Sequence, residues 1–213
     1  MIKVKICGIK NIDDALFAAS AGADAIGVVN VKESKRFAGL DDARKIFEAL
    51  PPFVSRVLVA SPKGIREIKD IERTGADCIQ LHGEEDIMFI KEIRESTHLK
   101  LLMQLPVIGK ETIDDAGAYA GLVDAILLDT KTKGVIGGTG VIHDWNISRK
   151  IVETIKKPVM LAGGLNPGNV IEAIEKVGPY AVDAASGVEF SPGVKDKAKI
   201  EEFIKKVKSY GFT

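Results

Sequence analysis

Apolar residues recur along this chain at two spacings, every second position in short runs and every third or fourth in the stretches between them. The first run, Ile2 to Gly8, sends Ile2, Val4 and Ile6 to one face of a strand and Lys3, Lys5 and Cys7 to the other, and Gly8 ends it. Asn11 then caps a helix through Ala21, whose apolar positions Ile12, Ala15, Leu16 and Ala19 follow helical spacing, and Gly22 stops it. Ala25 to Val29 reads as a second strand. The polar segment Asn30 to Leu40 holds Arg36 near its middle, and Asp41 or Asp42 starts a helix that ends before Pro51-Pro52.

The unit repeats. Strands are predicted at Val54 to Ala60, Cys78 to Leu81, Leu99 to Leu105, Asp124 to Asp129, Val159 to Ala162 and Ala181 to Ala184. The helices between and after them run from about Lys63 to Thr74, Glu84 to Glu95, Glu111 to Ala120, Asn146 to Lys156, Pro167 to Val177 and Asp196 to Ser209. Crossovers this short force parallel neighbours. An open doubly wound sheet and a closed barrel both fit. The count of eight strands favours closure, and the first strand ends Cys7-Gly8-Ile9-Lys10-Asn11, without the G-x-G-x-x-G of doubly wound nucleotide binders. The expectation is one α/β domain over residues 1–213, a (β/α)8 TIM barrel.

Charge narrows the class of partner. Lys plus Arg and Asp plus Glu both total 30 in 213 residues, so no global positive field argues for nucleic acid, and an anionic ligand has to be held by local groups. No stretch approaches the roughly 18 apolar residues of a membrane span, and the N-terminus lacks a signal-like apolar run. A soluble intracellular protein that does not bind membranes is expected. The two cysteines, Cys7 and Cys78, make neither a disulfide framework nor a zinc site with ligand-spaced histidines, so both should be reduced thiols.

In such a barrel, chemistry sits at the C-terminal tips of the strands, and the loops after strands 7 and 8 are the favoured phosphate site. Here those loops read Gly163-Gly164-Leu165-Asn166-Pro167 and Ala185-Ser186-Gly187-Val188-Glu189, which also suit plain turns. Cys7 and Asp129 end strands 1 and 6, on either side of that pair, an arrangement for proton transfer between one base and one acid. Singly, Cys7 reads as a small buried apolar residue and Asp129 as a turn cap. Ordinary acidities oppose their roles, since a free thiol is only about 3% ionised at pH 7, and keeping an aspartic acid protonated there requires about 4 kcal/mol. An apolar setting from Ile126, Leu127 and Leu128 would help the carboxyl. For the thiol, alternation points Lys5 into the barrel one layer below Cys7, paired with an inward carboxylate such as Asp183; it either biases Cys7 towards thiolate or forms a purely structural ion pair.

Arg36, near the mouth, can fork onto a substrate carboxylate or stay solvated. Gln80 and His82 close strand 4, and His82 lacks partners at metal-ligand spacing, so it reads as a hydrogen-bonding group. Gly137-Gly138-Thr139-Gly140 lies in a long loop after strand 6 without the Gly-Lys-Ser/Thr of a P-loop and reads as a lid, with Asp144-Trp145 capping the next helix and anchoring it.

Taken together these residues resemble one family, phosphoribosylanthranilate isomerase of tryptophan biosynthesis. The resemblance runs in order through Val4-Lys5-Ile6-Cys7-Gly8-Ile9, Gly22-Ala23-Asp24-Ala25-Ile26-Gly27, Ser34-Lys35-Arg36, Gln80-Leu81-His82-Gly83-Glu84 and Leu127-Leu128-Asp129-Thr130. It continues through Gly137-Gly138-Thr139-Gly140, Asp144-Trp145, Leu161 to Val170, Ser186-Gly187-Val188-Glu189 and Gly193-Val194-Lys195-Asp196, essentially the whole chain. It implies a cytoplasmic (β/α)8 enzyme that performs an Amadori rearrangement of phosphoribosylanthranilate with no cofactor and no metal. It also implies Asp129 as general acid, Cys7 as general base, Arg36 on the anthranilate carboxylate, and backbone at Gly163, Gly164, Ser186 and Gly187 on the phosphate. Lys5, Gln80, His82, Gly137 and Gly138 are accessory candidates.

The family includes monomers and dimers, so a homodimer is among the expectations. The chain departs from the family's frequent residues at Val28-Val29-Asn30, Ala60, His143 and Ala185, which bears on packing around the anthranilate ring and lid and not on the reaction type. Related sugar isomerases of histidine synthesis resemble this chemistry, but place a carboxylate where Cys7 stands and have two similar halves, which this chain does not show. A barrel kept only as an anion-binding module is the non-enzymatic alternative, against which both proton-transfer candidates stand.

Overall fold

Strand pairing closes on itself in the computed structural model, which describes residues 1–82, 86–130 and 143–210. In chain order the elements are β1 (Lys3–Cys7), α1 (Ile12–Ser20), β2 (Ala25–Val29), α2 (Leu40–Ala49), β3 (Ser55–Ala60), α3 (Ile65–Glu72), β4 (Cys78–Leu81) and α4 (Ile87–Ser96). The second half runs β5 (Lys100–Val107), α5 (Glu111–Ala120), β6 (Ala125–Thr130), α6 (Trp145–Thr154), β7 (Val159–Leu161), α7 (Val170–Val177) and β8 (Ala181–Ala184). A short 3₁₀ turn at Ser186–Val188, a small hairpin of β9 (Glu189–Ser191) and β10 (Val194–Lys195), and α8 (Lys197–Ser209) complete it. Strands β1 to β8 pair in sequence order, all parallel, and β8 pairs back onto β1 with Lys5 opposite Asp183, so the expected (β/α)8 barrel forms. Among the described residues no helix is long and apolar enough to cross a membrane.

Two apolar layers follow from strand alternation. Outward residues such as Ile6, Ile26, Leu58, Ile79, Leu101, Ile126, Leu128 and Val182 pack under the helices with Phe47, Ile90, Ile174 and Phe203. Inward residues Val57, Leu102, Leu127, Met160 and Ala181 fill the lower barrel. Leu127 is therefore the only one of the three expected apolar neighbours of Asp129 on its side of the sheet; Ile126 and Leu128 face the helices. Period 2 alone forces that correction.

Helix starts follow their caps. Asn11, Asp86, Asp144 and Asp196 each accept a hydrogen bond from the backbone of the first turn, as Asn11 and Asp144-Trp145 led one to expect. α4 begins at Ile87 with Asp86 as its cap; Glu84, the expected start, lies outside the described residues. α7 begins at Val170, not Pro167: Asn166 Oδ1 accepts from Gly168 N and Asn169 Oδ1 from Asn166 N, both at 2.8 Å, which folds residues 166–169 into a side-chain-closed turn.

The floor of the barrel repeats one device. Asp24, Asp77 and Asp124, each just before a strand, accept the backbone N–H of Val4, Arg56 and Leu101 on the preceding strand at 2.8 to 2.9 Å, and each also pairs with a cation. Burial works against these carboxylates, but the N–H and cation partners outweigh it, so all three sit below the ordinary range. A depressed folded-state value contributes stability above the unfolded value of about 3.9, and the contribution fades as pH falls through the lower folded one. The urea midpoint should thus stay level from neutrality to about pH 5 and drop below about pH 4. Asp124→Asn should lower the midpoint at pH 7 and converge on the parent at pH 2 to 3.

Candidate active site

Cys7 ends β1 on the inward face, 6% exposed, against Val29 and Val59. Beneath it Lys5, 1% exposed, donates to Asp183 Oδ2 at 2.8 Å, and its charge acts on the Cys7 thiol. The expected Lys5–Asp183 pair is present. Burial disfavours the Lys5 ammonium, but Asp183 and Cys7 more than offset it and hold the amine well above its usual value. On Cys7 the balance is opposite: burial raises the thiol, and Lys5 and Lys195, although they lower it, do not overcome burial together with Asp183. Lys5 thus limits the rise without reversing it.

Arg36 reaches the site from the loop after β2, its aliphatic stem lying over Gly8. A side chain at position 8 would overlap the Arg36 stem, and φ of +76° at Gly8 disfavours one in any case. The guanidinium forks onto Glu189, Nε to Oε1 and Nη2 to Oε2, both at 2.7 Å. Lys195 Nζ completes the cluster, donating to Glu189 Oε1 at 3.0 Å and to the Ala185 carbonyl at 2.9 Å. Burial disfavours the Glu189 carboxylate, yet Arg36 and Lys195 together keep it below its usual range. Among the described residues Arg36 Nη1 has no acceptor, and the guanidinium interacts with the charges of both Cys7 and Asp129.

Asp129 is half-buried at the tip of β6. Oδ1 accepts from the N–H of Thr130 at 2.7 Å and Oδ2 from Gln104 Nε2 at 2.8 Å. Desolvation raises its carboxyl; the Thr130 N–H opposes, and Asp183 adds to the rise. Among the described residues the hydrogen bonds of Gln80 and His82, the accessory candidates on β4 and just after it, reach Asp129 through Gln104. Behind Asp129, Thr130 Oγ1 lies 3.0 Å from His143 Nδ1, and His143 Nε2 lies 2.7 Å from Ser148 Oγ; burial lowers this imidazole to about 4, so it is neutral.

The loops after β7 and β8 lie against one another, with Gly187 backed so closely on the Leu165 carbonyl and Asn166 that any side chain there would collide. Gly163 and Gly164 both take positive φ, +84° and +71°. The Gly164 carbonyl accepts from Asn166 Nδ2 and Asn169 Nδ2, while the N–H groups of Gly163 and Gly164 have no acceptor among the described residues. Thr130 packs on Gly163, which joins this loop to the Asp129 strand end. Gly137 and Gly138 lie outside the described residues.

Residues 4–206 match the family model for N-(5'-phosphoribosyl)anthranilate (PRA) isomerase. The chain belongs to the N-(5'-phosphoribosyl)anthranilate isomerase family. It is 45% identical over 212 residues to the N-(5'-phosphoribosyl)anthranilate isomerase of Methanocella arvoryzae, covering 98% of this chain and 99% of the relative. The solved phosphoribosylanthranilate isomerase of Thermotoga maritima superposes with a TM-score of 0.90 at 40% identity, covering 98% of this chain and 100% of that one. A phosphoribosylanthranilate isomerase in complex with reduced 1-(o-carboxyphenylamino)-1-deoxyribulose 5-phosphate gives 0.86 at 39% identity, with the same coverage. The chain is an isomerase of tryptophan biosynthesis, as its residue pattern implied.

Three polar groups of the site were given no role from the sequence, although two of them, Glu189 and Lys195, lie in stretches that carry the family resemblance. Gln104 lies in an apolar run, Leu101 to Val107, where only strict alternation would have turned it inward. Glu189 and Lys195 belong to a hairpin whose two-residue and three-residue strands carry no periodicity.

Proposed function

We propose that Asp129 is the general acid and Cys7 the general base by which this chain isomerises N-(5-phosphoribosyl)anthranilate to 1-(2-carboxyphenylamino)-1-deoxyribulose 5-phosphate. Asp129 gives its proton to the furanose ring oxygen as the C1'–O bond breaks, and the anthranilate nitrogen closes a C1'=N Schiff base. The Cys7 thiolate then takes the C2' proton, and the freed pair forms the C1'=C2' bond of the enolamine as the C1'=N double-bond pair returns to the anthranilate nitrogen. Proton gain at C1' and loss from the C2' hydroxyl give the ketone. Atoms balance without a further reactant.

One observation carries the reading. Cys7 and Asp129 face the barrel mouth and interact with the same three charged groups, Lys5, Asp183 and Arg36, beside a glycine pair with two unclaimed N–H donors. The N–H groups of Gly163, Gly164, Ser186 and Gly187 are assigned to the substrate phosphate. Arg36 turns its open Nη1 to the anthranilate carboxylate while Glu189 holds its other edge. Since the thiol's ordinary acidity is weaker than the carboxyl's, the active form is the minority in which Asp129 is protonated and Cys7 ionised. The test is loss of phosphoribosylanthranilate fluorescence with the parent chain and its absence in folded Cys7 and Asp129 variants. Undiminished turnover in either variant removes that residue's role.

The catalytic unit is one barrel domain, residues 1–213. Its working compartment is the cytoplasm, whose reducing poise keeps the Cys7 base a free thiol. The proposal extends to a homodimer, supported by the T. maritima relative, described as dimeric. Sedimentation at micromolar concentration should give twice the chain mass, and a single-chain mass would refute the dimer.

A further inference from the structure

Gln104 takes no part in the chemistry above, yet both ends of its carboxamide are engaged. Oε1 accepts from Gln80 Nε2 at 2.8 Å and lies 2.6 Å from His82 Nδ1, while Nε2 donates to Asp129 Oδ2 at 2.8 Å. Barrel stagger makes the chain of contacts. Gln80 is registered with Leu102 and Gln104 with Leu127, so Gln80, Gln104 and Asp129 each stand two residues further up the next strand, on the same inward face.

A carboxamide has a donor end and an acceptor end of nearly equal shape, so its neighbours decide which end faces Asp129. The Gln80 amide nitrogen can only donate, and it claims Oε1. Turned over, Gln104 would set oxygen against the Asp129 carboxylate, which can only accept, and that bond would be lost whichever end Gln80 presents. We propose that Gln104 is the positioning residue for the general acid: locked by Gln80 and His82, it aims the Asp129 carboxyl and sets how readily that group holds its proton. This rests on Asp129 being the acid.

The direction of the effect follows. A donor to Oδ2 favours the carboxylate, so its removal raises the Asp129 pKa further and leaves the carboxyl free to turn. With the less acidic group serving as base, the acid-side break of the kcat/KM profile reports Asp129 and the alkaline break reports Cys7.

In Gln104→Met, which keeps length and loses the donor, the acid-side break should move up by about 0.5–1 pH unit. The kcat should fall about tenfold. KM should stay within about twofold, because the phosphate and carboxylate contacts are untouched, and the alkaline break should not move. Gln80→Met, which keeps Gln104 but frees its acceptor end, should shift the same break in the same direction by less, and serves if Gln104→Met does not fold. An unmoved acid-side break in a folded Gln104→Met, with Asp129→Asn inactive, overturns the Gln104 role alone. An active Asp129→Asn overturns the acid assignment and this inference with it.

Discussion

Asp129→Asn and Cys7→Ala should each lower kcat/KM for phosphoribosylanthranilate by about 10³, within the range that a positioned acid or base contributes. Asparagine keeps the shape of Asp129 and retains acceptors for the Thr130 and Gln104 N–H groups only through one oxygen, but it has no proton to give the ring oxygen. Alanine at position 7 removes the sulfur without opening a large cavity between Val29 and Val59. The double variant is the more telling measurement. Acid and base act in successive steps, so the slower step sets the rate, and the combined loss should match the worse single loss instead of approaching a product near 10⁶. Multiplied losses in the fluorescence assay would mean that both groups act in one transition state.

The largest effect on stability should come from the ion pair inside the barrel. Lys5 and Asp183 are 1% and 7% exposed, and Asp183 Oδ1 has no hydrogen-bond partner among the described residues, so Lys5→Met strands a buried carboxylate and Asp183→Asn strands a buried ammonium. Each should cost about 3–5 kcal/mol in urea unfolding, and the double change Lys5→Met with Asp183→Leu should recover most of it. The Lys5 amine is raised above its unfolded value, so its contribution is complete below about pH 10.4 and fades only as pH climbs through the folded value. The parent's pair should therefore contribute equally at pH 6 and pH 9, whereas burial pushes the unpaired Lys5 amine of Asp183→Asn down, so the loss in that variant should be smaller at pH 9 than at pH 6. Lys5→Met should also raise the Cys7 pKa, read as the rate of thiol alkylation against pH; an unmoved thiol would make the pair structural only.

Much of this architecture was legible because barrel strands and their covering helices obey two different periods. Cys7, Lys5 and Asp183 could be placed by counting alternate positions, and Asn11 and Asp144 by their capping chemistry. What escaped depends on contacts between residues far apart in sequence. Arg36 and Glu189 are separated by 153 positions, and nothing near either names the other. Gln104 stood unnoticed because its value lies in a stagger across three strands. The apolar neighbours expected for Asp129 were misassigned where hydrophobicity alone was followed and the pleat was not.

Two of the site's ion pairs join opposite ends of the polypeptide: Lys5 to Asp183 and Arg36 to Glu189, the latter steadied by Lys195. During synthesis the base and the arginine emerge from the ribosome long before the carboxylates that compensate their cations. A nascent chain therefore exposes an unneutralised Lys5 and an unaimed Arg36 until Asp183 and Glu189 have been made. Catalytic competence should arrive abruptly once Asp183, Glu189 and Lys195 have emerged, whatever helical and strand structure has gathered by then.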